Sequence, residues 1–233
     1  MSSLVKKSFG SIALGTRMND RCDPWFFNSW SHLIAGGMRT GDTVLDAAVE
    51  LPQHFAGTVM ALLFLKSDAD TLLAVDTDMI FKPDTLARLR DDPEGQKYDI
   101  LSALSVTRRS PFYPIVLRIM KKKDGTRAYE CAKDAIDGKV IPVDSVGTGF
   151  TLIRRSVFAR MKSKLGIDKW FFQWGDGGLG EDTRFCQDAK KIGCKIGVHT
   201  GVSIGHRGPI MFGWDAEKKQ TMMVSKDQVK ELL

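Results

Sequence analysis

Residues 72–81 read LLAVDTDMIF, and this stretch decides the fold. Leu72, Leu73, Ala74 and Val75 form an apolar run that predicts a strand. The run ends on Asp76 and Asp78, so carboxylates emerge at the carboxyl end of a strand, where open α/β sheets bind ligands. Two carboxylates one residue apart at such an edge can hold a hard divalent cation that bridges the oxygens of a diphosphate. The pair alone is weak evidence. Turns and helix caps use the same residues, and Asp68 with Asp70 supplies a second such triplet.

Outward from this strand the pattern alternates. Residues 9–15 (FGSIALG) predict a short buried strand ending in glycine. Asp23-Pro24 predicts a helix start, with Asp as N-cap and Pro at the first helical position, running over 25–35 and stopping at Gly36-Gly37. Residues 43–49 predict a strand, 55–66 an apolar helix and 71–75 the strand already quoted. Pro83 opens a helix that ends near Asp91-Asp92-Pro93, and 98–106 predict a fourth strand. This alternation implies an α/β fold with a mostly parallel sheet.

The second half changes character. Residues 115–120 and 128–131 flank Lys121-Lys122-Lys123-Asp124-Gly125, whose Asp-Gly pair predicts a tight hairpin and hence a smaller β subregion. A strand is predicted over 146–153, a helix over 156–164, and a helix over 181–192 closed by Gly193. Two strands, 195–199 and 202–206, precede a polar tail expected to be helical. The expectation is one domain over 1–233, with halves of about 1–106 and 107–233.

Composition sets the outer bounds. The chain has 233 residues, 43% hydrophobic and 27% charged, which excludes wholesale disorder. The apolar run 59–65 falls short of the ~20 residues a bilayer requires, and residues 11–14 after Lys6-Lys7 are too short for a secretory signal. Cys22, Cys131, Cys186 and Cys194 lack CxxC spacing, so neither a zinc knuckle nor a dithiol redox site is written here. The cytoplasm is the expected compartment. A net charge of +6 favours an anionic partner without choosing one.

Two more features carry chemistry. In GLGEDTRFCQDAKKIGCKIGVH, residues 178–199, Glu181 and Asp182 sit at a helix start, where the dipole stabilises carboxylates and where capping alone also selects them. Upstream, Trp170, Phe171, Phe172 and Trp174 form an aromatic group whose flat faces suit a sugar ring or the core. His206 stands in SIGHRG, where glycines permit close approach and a neutral imidazole suits a carboxylate-bound Mn²⁺ or Mg²⁺. His32, His54 and His199 have no such setting.

These features, in this order, resemble a GT-A glycosyltransferase of the small, family-two-like kind over nearly the whole chain. SIALGTR (11–17) stands where that family's first strand and nucleotide-binding loop lie, which implies donor contacts from Leu14, Gly15, Thr16 and Arg17. LLAVDTDMIF matches its metal-binding DxD, which makes Asp76 and Asp78 implied ligands, Asp76 also facing the donor. SVTRRSPFYPIVLR (105–118) resembles the segment whose basic residues approach the donor, here Arg108 and Arg109. VGTGFTLIRRSVF (146–158) resembles the strand beneath the transferred sugar, with Gly147 and Gly149. WGDGGLGEDTRF (174–185) resembles the aromatic and acidic loop, which implies Trp174 at the donor, Asp182 as general base and Glu181 on a sugar hydroxyl. GHRG fits the late histidine, His206, that completes the metal site. Many relatives carry Pro-Thr-Arg where this chain has Leu14-Gly15-Thr16-Arg17, and the acceptor loop has no counterpart.

The resemblance implies metal-dependent, inverting transfer of a sugar from a nucleoside diphosphate, UDP favoured, to a hydroxyl, with Mn²⁺ or Mg²⁺. Arg118, Lys121-Lys122-Lys123, Arg127, Arg154-Arg155 and Lys190-Lys191 make the second half basic. The compact basic chain is also similar to small phage enzymes that glucosylate hydroxymethyl pyrimidines. Together these point to a hydroxymethylated base flipped from duplex DNA as acceptor, in the host cytoplasm for a phage protein. A saccharide or lipid-linked sugar is the alternative. Neither a membrane nor an obligate protein partner is expected. A haloacid-dehalogenase-like phosphatase carries its DxD on the first strand with Thr or Val where Ile80 stands here. A sugar nucleotidyltransferase expects a glycine-rich first loop, and a DNA-binding module leaves Glu181, Asp182 and His206 without a purpose.

Overall fold

A computed structural model describes residues 8–18, 22–108, 112–121, 127–208, 212–215 and 217–223. The chain opens with β1 (Ile12–Met18), α1 (Pro24–His32), β2 (Thr43–Val44), β3 (Ala48–Val49) and α2 (Gln53–Lys66). It continues through β4 (Thr71–Asp76), β5 (Met79–Ile80), α3 (Thr85–Asp91) and β6 (Ile100–Leu104). The second half holds β7 (Leu117–Lys121), β8 (Arg127–Cys131), β9 (Val140–Pro142), β10 (Phe150–Arg154), α4 (Arg155–Leu165) and α5 (Glu181–Lys191). It closes with β11 (Ile196–Ser203), β12 (Gly205–His206), β13 (Phe212–Asp215) and β14 (Gln220–Met223).

The central sheet has the order β2-β1-β4-β10-β6-β11-β9, with β3 also paired to β1. β1 runs parallel to β2, β3 and β4, and β6 parallel to β11. β10 lies antiparallel between β4 and β6. That insertion matters for the site, because it brings the start of β10 to the same edge as the ends of β1, β4 and β6. A second sheet, β14-β13-β12-β5, joins the segment after β4 to the late segment around His206. β7 and β8 form the expected hairpin, whose tip (122–126) lies outside the described residues.

The sheet is covered on both faces, as the apolar run in β4 requires. Leu72 and Ala74 join a core with Met60, Phe64, Phe158, Phe172 and Phe185, on the side of α2, α4 and α5. Leu73 and Val75 join the other core with Phe26, Leu86 and Leu89, on the side of α1 and α3. Alternate side chains of one strand therefore seal opposite layers. Asp23 caps α1 by accepting from the Trp25 N–H at 2.8 Å, and α4 ends on Gly166 at φ 69°. Among the described residues no helix is long and apolar enough to cross a membrane.

Several boundaries differ from the sequence reading. β1 starts at Ile12, because Gly10 turns at φ 67° and Asp70 accepts from the Ser11 N–H and hydroxyl, both at 3.0 Å. The Asp68/Asp70 triplet thus serves a turn. The single strand expected over 43–49 is two short ones. The strands expected at 195–199 and 202–206 are one strand, β11, with an irregularity between His199 and Ser203, followed by β12. Gly201 sits in that irregularity, where an added Cβ would meet the Gly138 carbonyl oxygen at 2.4 Å. The helical tail is corrected over 212–215 and 217–223, where β13 and β14 pair and extend β12, while 224–233 lie outside the described residues.

Candidate active site

The carboxyl edge of the sheet opens into a cleft of about 620 Å³. Arg17, Asp76, Asp78, Glu181, Asp182 and His206 line it, as do Arg108 and Trp174. Residues from six places in the chain thus meet, because the ends of β1 and β4, the start of α5 and the β5–β12 pairing all face one way. His206 lies opposite Met79 in that pairing, which sets it beside Asp78.

Arg17 organises one half of the cleft. Its side chain is only 2% exposed and donates from Nε to Asp76 Oδ1 at 2.7 Å and from Nη2 to Thr148 Oγ1 at 2.5 Å. Nη1 has no hydrogen-bond partner but stands 3.5 Å from Glu181 Oε1 and 3.6 Å from Asp182 Oδ1. Burial works against the guanidinium's charge, yet Asp76, Asp182 and Glu181 outweigh it and hold its pKa above the ordinary value. Three carboxylates around one cation leave an excess of negative charge. Glu181 shows the result: burial, then Asp182, push its pKa up. Burial, with Asp182 and Asp78, likewise raises the Asp76 pKa against the lowering by Arg17.

Asp182 is oriented by a residue the sequence reading did not single out. Thr148 donates its backbone N–H to Oδ2 at 3.1 Å and its hydroxyl to Oδ1 at 2.6 Å. The signal was available, since Thr148 lies between Gly147 and Gly149 just before β10. Those glycines do not line the cleft; Gly147 has Asp182 Oδ2 3.8 Å from an added Cβ, and the Gly149 carbonyl accepts from the Asp76 N–H at 3.0 Å. Leu14, Gly15 and Thr16 do not line it either. Leu14 is fully buried, and an added Cβ on Gly15 would meet Met60 Cγ at 2.7 Å, so of the SIALGTR stretch only Arg17 reaches the cleft. A strand buried on both faces offers the cleft only its last side chains.

The other half of the cleft gathers around Asp78. Arg108 forms an ion pair with it, and His206 Nε2 stands 3.4 Å from its Oδ2. Burial would raise the Asp78 pKa, but His206 and then Arg108 lower it overall. Arg109 lies outside the described residues. His206 Nδ1 is 2.7 Å from the Val106 carbonyl oxygen, which only accepts, so Nδ1 carries a proton and Nε2 is the ring atom turned to Asp78. Whenever Nε2 carries no proton, its lone pair and the Asp78 carboxylate face one another and could share a cation.

Fit to a metal can be tested on these groups. Among the described residues no three His, Cys, Asp or Glu side chains are grouped to hold an ion. Asp76 Oδ1, the oxygen of the third expected ligand, is engaged by Arg17. Asp78 and His206 fit as a pair, because Asp78 Oδ1 is buried without a partner and a carboxylate with an imidazole suits Mn²⁺ or Mg²⁺.

The aromatic segment divides. Phe171 and Phe172 are buried, Phe172 stacking on Phe185 at 4.4 Å, whereas Trp170 and Trp174 are 50% and 57% exposed. The basic residues of the second half are largely engaged too. Arg154 donates to the carbonyls of Tyr98, Gln96 and Ser8, and Arg155 to those of Ala69, Leu65, Phe64 and Ser67. Lys190 pairs with Asp144, Lys191 with Asp188, and Arg118 donates to the Pro142 carbonyl. Lys122 and Lys123 lie outside the described residues.

No protein-family model and no curated protein matches the chain. Solved structures do. A197 from STIV aligns with a TM-score of 0.55 at 16% identity, over 92% of this chain and 95% of that one. GalNAc-T7, crystallised with UDP, GalNAc and Mn²⁺, aligns with a TM-score of 0.55 at 11% identity, over 85% of this chain. The alignment spans 44% of the GalNAc-T7 chain. At these identities the likeness shows the fold: a GT-A type, Rossmann-like α/β architecture with a mostly parallel central sheet.

Proposed function

We propose that this chain is a metal-dependent glycosyltransferase that moves a sugar from a nucleoside-diphosphate sugar, UDP-sugar favoured, to a hydroxyl. The observation that carries the reading is the meeting of Asp78, His206, Arg108 and Asp182 in one cleft at the carboxyl edge of the sheet. The shared fold with GalNAc-T7, whose structure contains UDP, GalNAc and Mn²⁺, supports it. The reading takes 1–233 as one domain, since the cleft draws on both halves.

Asp78 and His206 would hold Mn²⁺ or Mg²⁺, which when bound offsets the negative charge that grows on the departing diphosphate. Arg108, half-exposed beside Asp78, adds a second cation at the same point. Arg17 is enclosed by carboxylates and orders them. Asp182 takes the acceptor hydroxyl's proton: each oxygen accepts one hydrogen bond from Thr148 and keeps a lone pair for the incoming O–H. Glu181 binds a sugar hydroxyl. In-line attack then inverts the anomeric carbon, as the resemblance implies.

The test is a thermal-shift panel of nucleotide sugars with and without Mn²⁺. Stabilisation by one donor only in the presence of the metal supports the reading and names the nucleotide. If no donor raises the melting temperature under either condition, the reading fails.

A further inference from the structure

Beside the cleft lies a shallow recess of about 400 Å³ formed by His54, Phe55, Trp170, Gln173 and Trp174. We infer that this recess is the acceptor subsite and that it takes a ring of a neutral saccharide, an inference that rests on the transferase reading above.

The recess is built on fixed supports. Gly57 lacks the Cβ that would press on Phe172, whose ring packs 3.0 Å from that position. Thr58 Oγ1 bonds both the N–H and the carbonyl of Phe172 at 3.3 Å, which ties the 170–174 segment to α2. Two neighbours of Phe172 are thereby held outward: Trp170, edge-to-face with Phe55 at 5.2 Å, and Trp174. The Trp174 Nε1–H donates to His54 Nδ1 at 3.1 Å, so a half-exposed indole is held in one orientation. Large aromatic faces fixed while exposed bind at low entropy cost.

The chemistry of the lining selects the occupant. None of the five side chains is Asp, Glu, Lys or Arg, so a phosphodiester would find no counter-charge here. The indole can only donate, so His54 Nδ1 accepts and its ring proton sits on Nε2, available to a hydroxyl. Gln173 donates from Nε2 to the Trp170 carbonyl at 2.9 Å, leaving its Oε1 as an acceptor. Flat faces beside one donor and one acceptor match the apolar C–H face and hydroxyl rim of a sugar. Trp174 lines both the recess and the cleft that holds Asp182, so a saccharide seated here can extend a hydroxyl toward the base.

An array of neutral mono- to tetrasaccharides, followed by tryptophan-fluorescence titration of the best binder, tests this on wild type, Trp170→Ala and Trp170→Phe. The expected result is saccharide binding weakened about tenfold or more in Trp170→Ala and largely kept in Trp170→Phe. The Mn²⁺-linked thermal shift by the donor, read in parallel, should be the same in all three and reports folding. Three results overturn the inference and leave the transferase reading standing: donor stabilisation without saccharide binding, saccharide binding untouched by Trp170→Ala, or salt-sensitive preference for hydroxymethylated duplex DNA. Loss of the donor shift in wild type overturns the transferase reading, and the acceptor role with it.

Discussion

Thr148 grips Asp182 twice, through its backbone N–H at 3.1 Å and its hydroxyl at 2.6 Å, while the same hydroxyl oxygen accepts from Arg17 at 2.5 Å. This fixes the carboxylate plane relative to a cation that is itself locked to Asp76. A charge-assisted hydrogen bond of this kind contributes about 1.5–3 kcal/mol.

Thr148→Val keeps the backbone bond and removes the hydroxyl one. Turnover should fall about ten- to a hundredfold with little change in donor KM, and Thr148→Ser should recover most of it. Asp182→Asn sets the floor, with turnover nearly abolished and donor binding intact. Steady-state kinetics with a titration of donor binding checks both, and loss of donor affinity in Asp182→Asn would reassign that residue to binding.

Glu181 gives a pH signature. Its folded pKa is raised above the unfolded value, so its contribution is favourable below the unfolded pKa and is lost as pH rises through the folded one. At neutral pH it is a charged group in an over-supplied carboxylate cluster. Glu181→Gln should therefore melt higher than wild type at pH 7, and the gap should close on acidification as wild-type Glu181 takes up a proton. Each kcal/mol corresponds to about 2–4 °C for a chain of this size. Calorimetric scans from pH 4 to 8 check the direction.

His206→Ala and Asp78→Asn should abolish the Mn²⁺-linked part of donor stabilisation, since each removes half of the pair that fits the ion. At a donor concentration of 100 times Kd, wild type gains about 2.7 kcal/mol from binding. Melting curves with and without Mn²⁺ measure the loss. A metal-linked shift that survives in both variants would place the ion elsewhere.

Phe172→Ala should cost about 3–5 kcal/mol in urea unfolding, whereas Trp170→Ala should cost far less. Phe172 is fully buried against Phe185 and Gly57, while Trp170 is half in solvent. Equal losses would mean that the two aromatics share one structural role.

Much of the fold was legible from local rules. The apolar run before Asp76 has no polar alternation and so had to be buried on both faces. Asp23-Pro24 carried its own cap, and the runs flanking residues 122–126 pair as the antiparallel hairpin β7–β8. The misreadings came where non-local partners decided: β1 slid to Ile12 because Asp70, distant in sequence, accepts from Ser11, and the tail became β13–β14 because β12 offered an edge.

For the site, the sequence by itself determined which groups could do chemistry: Asp76, Asp78, Glu181, Asp182 and His206 are titratable groups at element ends, and local pattern places element ends. Only the tertiary structure decided what each is joined to. Arg17 read as a donor contact, yet folding encloses it among three carboxylates. Asp76, expected at the metal, is also joined to Arg17, and Thr148 became the residue that aims Asp182. Trp170 and Phe172 look alike in sequence, but one faces solvent and the other the core. The reason is physical: strand and helix propensities act over a few residues, whereas the pairing of charges and the burial of rings depend on which distant segments fold against one another.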